Sequence, residues 1–190
     1  MFKSLCILAI AASLAACSTT RVDLRYEGSS ALPKTASVQP IVVTAFKDAR
    51  KDDPNWMGAI RGGFGNALKT LESNQPVAVV VQTAFADGLR ARGVTLVSNA
   101  KLSLSGTIQK FESITVIRRA ATIVIDLKVT DLASGQDLLS KTFEGEVIDS
   151  SSAGGVFASI DNLRATTENA LRQIVDRALD DTEVRQALKI

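Results

Sequence analysis

Histidine is absent from the 190-residue chain, and cysteine occurs only twice, at Cys6 and Cys17. The first absence removes Ser-His-Asp and Cys-His nucleophilic catalysis and the usual zinc ligand sets. Both cysteines fall within the first seventeen residues, so the rest of the chain holds no thiol and can close no disulfide. A domain built from it must stand on its core alone. Aromatics are scarce, with a single Trp (Trp56) and a single Tyr (Tyr26). Neither sign of charge dominates: 22 Lys and Arg face 20 Asp and Glu. That balance argues against a nucleic-acid binder or a polybasic reader of lipid headgroups. Three glycines crowd Phe64, at Gly62, Gly63 and Gly65. They match neither G-x-x-x-x-G-K-[ST] nor a G-x-G-x-x-G between strand and helix, so no nucleotide cofactor is expected.

What the chain does have is a leader. Met1-Phe2-Lys3 supplies a short cationic start, an apolar run follows over residues 5–14, and the small residues Ala15 and Ala16 precede Cys17. This is the order of a secretory signal peptide, and the run is about half the ~20 residues that a spanning helix needs. Leu14-Ala15-Ala16-Cys17 resembles the lipobox of bacterial lipoproteins. The resemblance implies cleavage ahead of Cys17, which becomes the acylated N-terminus with a diacylglyceryl thioether and an amide-linked chain. One acyl chain holds a membrane marginally, whereas two or more anchor stably. Ser18 rather than Asp follows the cysteine, which by analogy with Gram-negative lipoproteins points to the periplasmic face of the outer membrane. The expected organisation is a signal peptide over 1–16, a lipidated N-terminus and flexible linker over 17–39, and one α+β domain over 40–190.

The linker reading rests on a polar stretch with Gly28, Ser29, Ser30 and Pro33 and little periodicity. Tyr26 stands out in it and could mark a short pairing segment. Beyond Pro40, the β-branched run over 41–46 predicts a strand, followed by a charged loop over 47–54. Asp48, Asp52 and Asp53 lack the alternation and closing Glu of a calcium loop, and a solvated loop is expected. Residues 56–65 read as two short edge strands joined by a glycine turn, with Trp56 and Phe64 available to touch a partner. Val77, Val80, Val81, Ala84, Phe85 and Gly88 form one apolar helix face that starts at Pro76 and stops at Gly93. Three consecutive valines leave a strand over 77–81 as the weaker alternative.

From Val94 the period becomes two. A short strand is expected over 94–97. Leu102, Leu104, Gly106 and Ile108 then alternate with polar residues, and Phe111 falls off register, which predicts a bulge near Lys110. Ile123, Ile125, Leu127 and Val129 mark a second strand. Gly135 suits a hairpin turn, and Leu139, Phe143 and Val147 share a face of a third strand. Ile160, Leu163, Thr167, Leu171, Ile174 and Ala178 make the stripe of a last long helix, and Asp181 caps a short terminal one. The expected fold is α+β: a mostly antiparallel single sheet, built on a meander, with two long helices packed on one face.

The order of lipobox, Phe46-Lys47-Asp48-Ala49-Arg50, Gly58-Ala59-Ile60, Leu89-Arg90-Ala91-Arg92-Gly93-Val94 and Leu104-Ser105-Gly106-Thr107-Ile108-Gln109-Lys110-Phe111 resembles the YajG-type outer-membrane lipoproteins. Asp131-Leu132-Ala133-Ser134-Gly135, with the Leu-x-Gly-x-Ile-x-x-Phe run, is also similar to the PqiC-like auxiliary lipoproteins of lipid-exporting ABC transporters. The first resemblance implies a non-enzymatic structural or adaptor component of the cell envelope, membrane-bound through Cys17 and with an envelope protein as partner. The second implies an accessory role in lipid or lipopolysaccharide transport. A glycan-cleaving enzyme would need two inward carboxylates. Asp126, Glu144 and Glu146 sit instead at alternating, solvated strand positions, and no catalytic residue or metal site is expected.

Overall fold

The computed structural model describes residues 18–28, 39–150 and 158–190. Its strands are β1 (Ser18–Val22), β2 (Ile41–Val43), β3 (Lys47–Asp48), β4 (Trp56–Arg61), β5 (Ala67–Ser73), β6 (Leu102–Thr115), β7 (Arg119–Asp131) and β8 (Gln136–Asp149). Its helices are α1 (Val77–Ala91), α2 (Ile160–Leu179) and α3 (Thr182–Leu188). The eight strands form one sheet in the order β1-β5-β4-β6-β7-β8, with β2 and β3 also paired to β6.

The meander is present as the alternation requires. β6 pairs antiparallel with β7, and β7 with β8, through almost their whole lengths. The register slips by one residue between Ile108 and Lys110, and this bulge returns Phe111 to the buried face. Gly135 takes φ 71° in the β7–β8 turn, a conformation glycine adopts without Cβ strain.

The other edge of β6 corrects the expected antiparallel sheet. β2, β3 and β4 lie along it one after another, all parallel to β6, with Ile41 opposite Leu102, Lys47 opposite Thr107 and Gly58 opposite Ser113. Parallel neighbours need a long crossover, and α1 with the chain around it supplies one between the β4–β5 hairpin and β6. A strand over 94–97 is not formed; Leu96 makes only an isolated bridge to Ile41. Residues 56–65 hold one strand, β4, and most of a turn instead of the two edge strands expected; β4 pairs antiparallel with β5 beyond them, and neither is an edge, because β1 covers β5 and β6 covers β4.

Residues 18–22 are a second correction. In place of a linker they form a strand parallel to β5, from Ser18 opposite Lys69 to Val22 opposite Ser73. Thr19, Thr20 and Val22 are β-branched and suit a pleated surface, a preference outweighed in the sequence reading by the polarity around them. Residues 29–38 of the predicted linker lie outside the described residues.

The run over 41–46 is a strand only through Val43. At Phe46 the chain turns its ring inward, where it stacks on Phe85 of α1 at 5.2 Å between centroids and lies over Gly106 of β6. α1 and α2 pack against each other where Gly88 meets Val175 and Leu179, and Ile174 of α2 lies on Gly145 of β8. One apolar cluster joins these side chains to the sheet. α1 ends as expected, with Gly93 at φ 83°, and Asp181 caps α3 by accepting from the amides of Glu183 and Val184.

The parallel seam generates a test. A Cβ on Gly58 would lie 2.1 Å from the carbonyl oxygen of Ser113 on β6, a backbone atom that cannot swing away. Gly58→Ala should therefore cost about 1–3 kcal/mol through overpacking, read as a lower urea midpoint. Gly63→Ala, with nothing within 4 Å of its Cβ, should leave the midpoint within about 0.5 kcal/mol of wild type.

Candidate functional site

The polar chemistry of the interior is concentrated on three arginines, and one of them secures the N-terminal segment. Arg92, the residue that closes α1, folds its guanidinium back under the helix. Nη1 donates to the Gly88 carbonyl at 3.0 Å and to the Tyr26 hydroxyl oxygen at 3.2 Å. Nη2 donates to Asp176 Oδ1 at 3.1 Å and Nε to Asp180 Oδ1 at 2.8 Å, both from the end of α2. The Tyr26 hydroxyl in turn donates to Asp176. Gly88 lets α2 close in here: a Cβ at that position would run into Leu179 and Val175, and the Tyr26 ring lies in contact beside it.

Further contacts hold the segment upstream. The Asn74 amide donates to the Val22 carbonyl at 3.1 Å, and Asn74 Nδ2 to Asp23 Oδ1 at 3.0 Å. Arg164 Nη2 reaches the Asp23 carbonyl at 3.3 Å. Residues 18–26 are thus bound to β5 and to both helices.

Burial and the bond to Asp176 push the Tyr26 phenol up to about 12, against the opposing pull of Arg92. For Arg92, burial favours the neutral form, but the bonds to Asp180, Tyr26 and Asp176 outweigh it and hold the guanidinium above its ordinary value.

Arg50 is the second. Its side chain is 2% exposed. Nε and Nη2 form a fork on the Asp48 carboxylate at 2.9 and 2.8 Å, while Nη1 donates to the carbonyls of Trp56 and Phe111 at 2.8 and 3.1 Å. The guanidinium therefore joins β3, β4 and β6. Burial would raise the Asp48 carboxyl, but Arg50 overrides it and holds Asp48 below the usual carboxylate range. Asp48 consequently does not belong to a solvated loop. Asp53 does sit at a turn, accepting from the Asn55 amide at 2.8 Å, and Asp52 is exposed.

The third, Arg119, donates from Nη1 to Asp149 Oδ2 at 2.6 Å. Its Nε and Nη2, and Thr115 Oγ1 beside it, are buried without a partner among the described residues. A cavity of about 520 Å³ adjoins, lined among others by Arg119, Ile148, Asn162, Thr166 and Asn169. The groups around it can hold a small polar or anionic moiety.

Of the residues singled out by sequence, Cys17 lies outside the described residues. Trp56 and Phe64 are not brought together. Trp56 is half-buried at the start of β4, whereas Phe64 is fully exposed in the turn beyond its other end. Asp126, Glu144 and Glu146 share the solvent-side face of β7 and β8. Asp126 accepts from Gln109 Nε2 and Thr142 Oγ1, both at 2.6 Å, and the two glutamates are exposed. Sequence reasoning missed the Arg92 cluster, although the isolated Tyr26 was its one visible sign. Arg119 gave no sign.

Residues 30–189 match a family described as uncharacterized lipoproteins. The chain belongs to this family. Its members are lipoproteins, which accords with a lipid anchor and a membrane-held envelope protein. No curated protein matches. Among solved structures, protein XCC0632 from Xanthomonas campestris, of the family DUF330, shares the fold: TM-score 0.65 at 18% identity, covering 90% of this chain and 98% of that one. A PelC dodecamer from Paraburkholderia phytofirmans is a looser likeness, with TM-score 0.42 at 15% identity over 78% of this chain and 91% of that one. Lipoprotein GNA1162 from Neisseria meningitidis is looser still, at 0.33 and 14% over 73% of this chain and 99% of that one.

The clamp makes a pH-dependent prediction. A folded-state pKa raised from 10.0 to about 12 means that Tyr26 contributes stability in full below pH 10 and loses it as pH climbs to about 12. Tyr26→Phe should lower the melting temperature at neutral pH, and its gap to wild type should narrow across that window. A gap that widens there would contradict the assignment. Arg92→Met should cost about 3 kcal/mol or more, because it leaves Asp176 and Asp180 without their cation, and chemical denaturation reads this directly.

Proposed function

We propose that the protein is a YajG-type lipoprotein of the outer membrane, facing the periplasm and held by acyl chains on Cys17. There it serves the envelope as a non-enzymatic structural or adaptor component. The observation that carries the reading is the clamp on the N-terminal segment. Ser18, the residue after the lipobox cysteine, already belongs to the sheet, so an acylated Cys17 holds the domain by a structured attachment. An adaptor needs such an attachment, because it must present a surface in a fixed orientation. The interior arginines support the same reading: Arg50 and Arg92 are fully engaged in joining chain segments. The carboxylates that could serve glycan hydrolysis lie on an open sheet face.

A second reading, an accessory lipoprotein of an ABC-type lipid or lipopolysaccharide transport system of the PqiC-like kind, draws on the cavity beside Arg119. Its two unpartnered nitrogens suit a headgroup phosphate.

Fractionation tests the first reading. Wild-type protein should sediment with outer membranes, and Cys17→Ser should abolish acylation and release the protein or leave its leader uncleaved. Wild-type protein recovered in the soluble periplasmic fraction would overturn it. Lipid analysis of the purified protein separates the two readings: stoichiometric phospholipid, lost in Arg119→Gln, favours transport, whereas an adaptor carries none and cross-links in cells to a reproducible envelope neighbour.

A further inference from the structure

The register of the sheet gathers one end of the molecule around the residue that follows the anchor. β4 runs parallel to β6 with Ile60 opposite Thr115, so the β4–β5 turn over 62–66 and the β6–β7 turn over 116–118 project side by side. β5 starts from the first of these turns, and β1 lies parallel to it with Ser18 opposite Lys69. Ser18 therefore stands at that same end of the sheet, and Cys17 is one peptide bond, ~3.8 Å between Cα atoms, before it.

This end also carries the most exposed apolar side chains among the described residues. Phe64 tops the first turn at 102% relative exposure and Ile117 the second at 85%. Val116 and Ile148 flank them, both partly exposed. The opposite end, where β7 turns into β8, offers Leu132 at 50% and Leu138 at 39%, well below the two tips. Cations accompany the two tips. Arg118 is exposed, and Arg61 is half-buried with Nη1 on the Gly65 carbonyl at 3.0 Å. The acidic groups nearby are Asp149, which is paired with Arg119, and Asp161 in the first turn of α2.

We infer that this end is a membrane-contacting surface: the Phe64 and Ile117 turns dip into the interfacial region of the bilayer that holds the acyl chains, with Arg61 and Arg118 at the level of the phosphates. The inference deepens the proposed function and rests on its anchor at Cys17. Aromatic and aliphatic tips flanked by arginine suit the interface, where apolar bodies bury while guanidinium groups stay with the headgroups. A protein partner would have to reach these tips in the shallow gap between the sheet end and the bilayer, which the short distance from Cys17 to Ser18 closes. The domain then rests directly on the membrane instead of being lifted from it by a linker.

Acylated mature protein, cleaved ahead of Cys17 and so without Cys6, offers no free thiol once Cys17 is modified, so single cysteines can be labelled cleanly. Phe64→Cys, Ile117→Cys and, at the far end, Ala133→Cys are labelled with an environment-sensitive dye. Each is then reconstituted into phosphatidylethanolamine–phosphatidylglycerol vesicles carrying a nitroxide near the glycerol backbone. Labels at 64 and 117 should shift to the blue and lose emission to the nitroxide, and the label at 133 should do neither. Equal responses at all three positions would overturn the inference. So would labels at 64 and 117 that are shielded from aqueous iodide yet out of reach of the nitroxide, since that pattern marks a protein contact. Failure of the anchor itself looks different, because the protein then does not float with vesicles at all. Matching thermal melts of the three variants confirm that each is folded.

Discussion

The parallel seam along one edge of β6 is the constraint on which the rest of the structure depends. β6 is fourteen residues long, about 46 Å at ~3.3 Å per residue, and no single neighbour spans it on that side. Three short strands share the edge, all running parallel to β6, and every break between them leaves backbone groups to satisfy. Thr44 donates its amide to the Leu104 carbonyl at 2.9 Å and Ala49 to that of Ile108 at 3.0 Å. At the last break the Arg50 guanidinium completes the seam, taking the carbonyls of Trp56 and Phe111. A lysine at this position could not reproduce the bond set, because the fork on Asp48 and the two carbonyls together use the planar geometry of a guanidinium.

Buried arginine does in this domain what a disulfide does in many exported ones. With no thiol after Cys17, the chain crossings are joined by charge-assisted hydrogen bonds: Arg50 across β3, β4 and β6, and Arg92 across α1, α2 and the segment that holds Tyr26. Such groups are costly to bury unless every donor finds an acceptor. Every guanidinium nitrogen of Arg50 and Arg92 has an acceptor, in a carboxylate, a carbonyl or the Tyr26 hydroxyl. Arg119 meets that condition only in part, which sets it apart as the interior arginine with unused donors.

Local pattern made much of this fold readable. The alternation in β6, β7 and β8, the misfit of Phe111, the stripe of α2 and the stop at Gly93 follow from nearest-neighbour chemistry, and each appears where it should. What could not be read is non-local. The parallel pairing of β2, β3 and β4 depends on a crossover whose hand and landing point no local period encodes. Tyr26 and Arg92 stand 66 residues apart, and Arg92 in isolation looks like an ordinary cation in the last turn of a helix. Residues 18–22 misled for a related reason. Ser, Thr and Arg suggest solvent, but an edge strand with one half-wet face tolerates them, and the partner that makes β1 a strand lies fifty residues away.

With the anchor proposed on Cys17, the attachment of β1 governs how force and orientation pass to the domain. A flexible tether decouples the two, since each added residue widens the range of positions the domain can take. Here five consecutive register pairs bind β1 to β5, and the Tyr26–Arg92–Asp176 cluster fixes the far end of the segment against both helices. A pull on the N-terminus acts along the strand and loads the ladder in shear, and breaking it requires the hydrogen bonds to yield together. The same strand covers the edge of β5, which would otherwise present unpaired amides and carbonyls to other sheets. One short polar strand thus both ties the N-terminal segment to the domain and closes an edge of the sheet, which is why residues 18–26 belong to the fold and not to a linker.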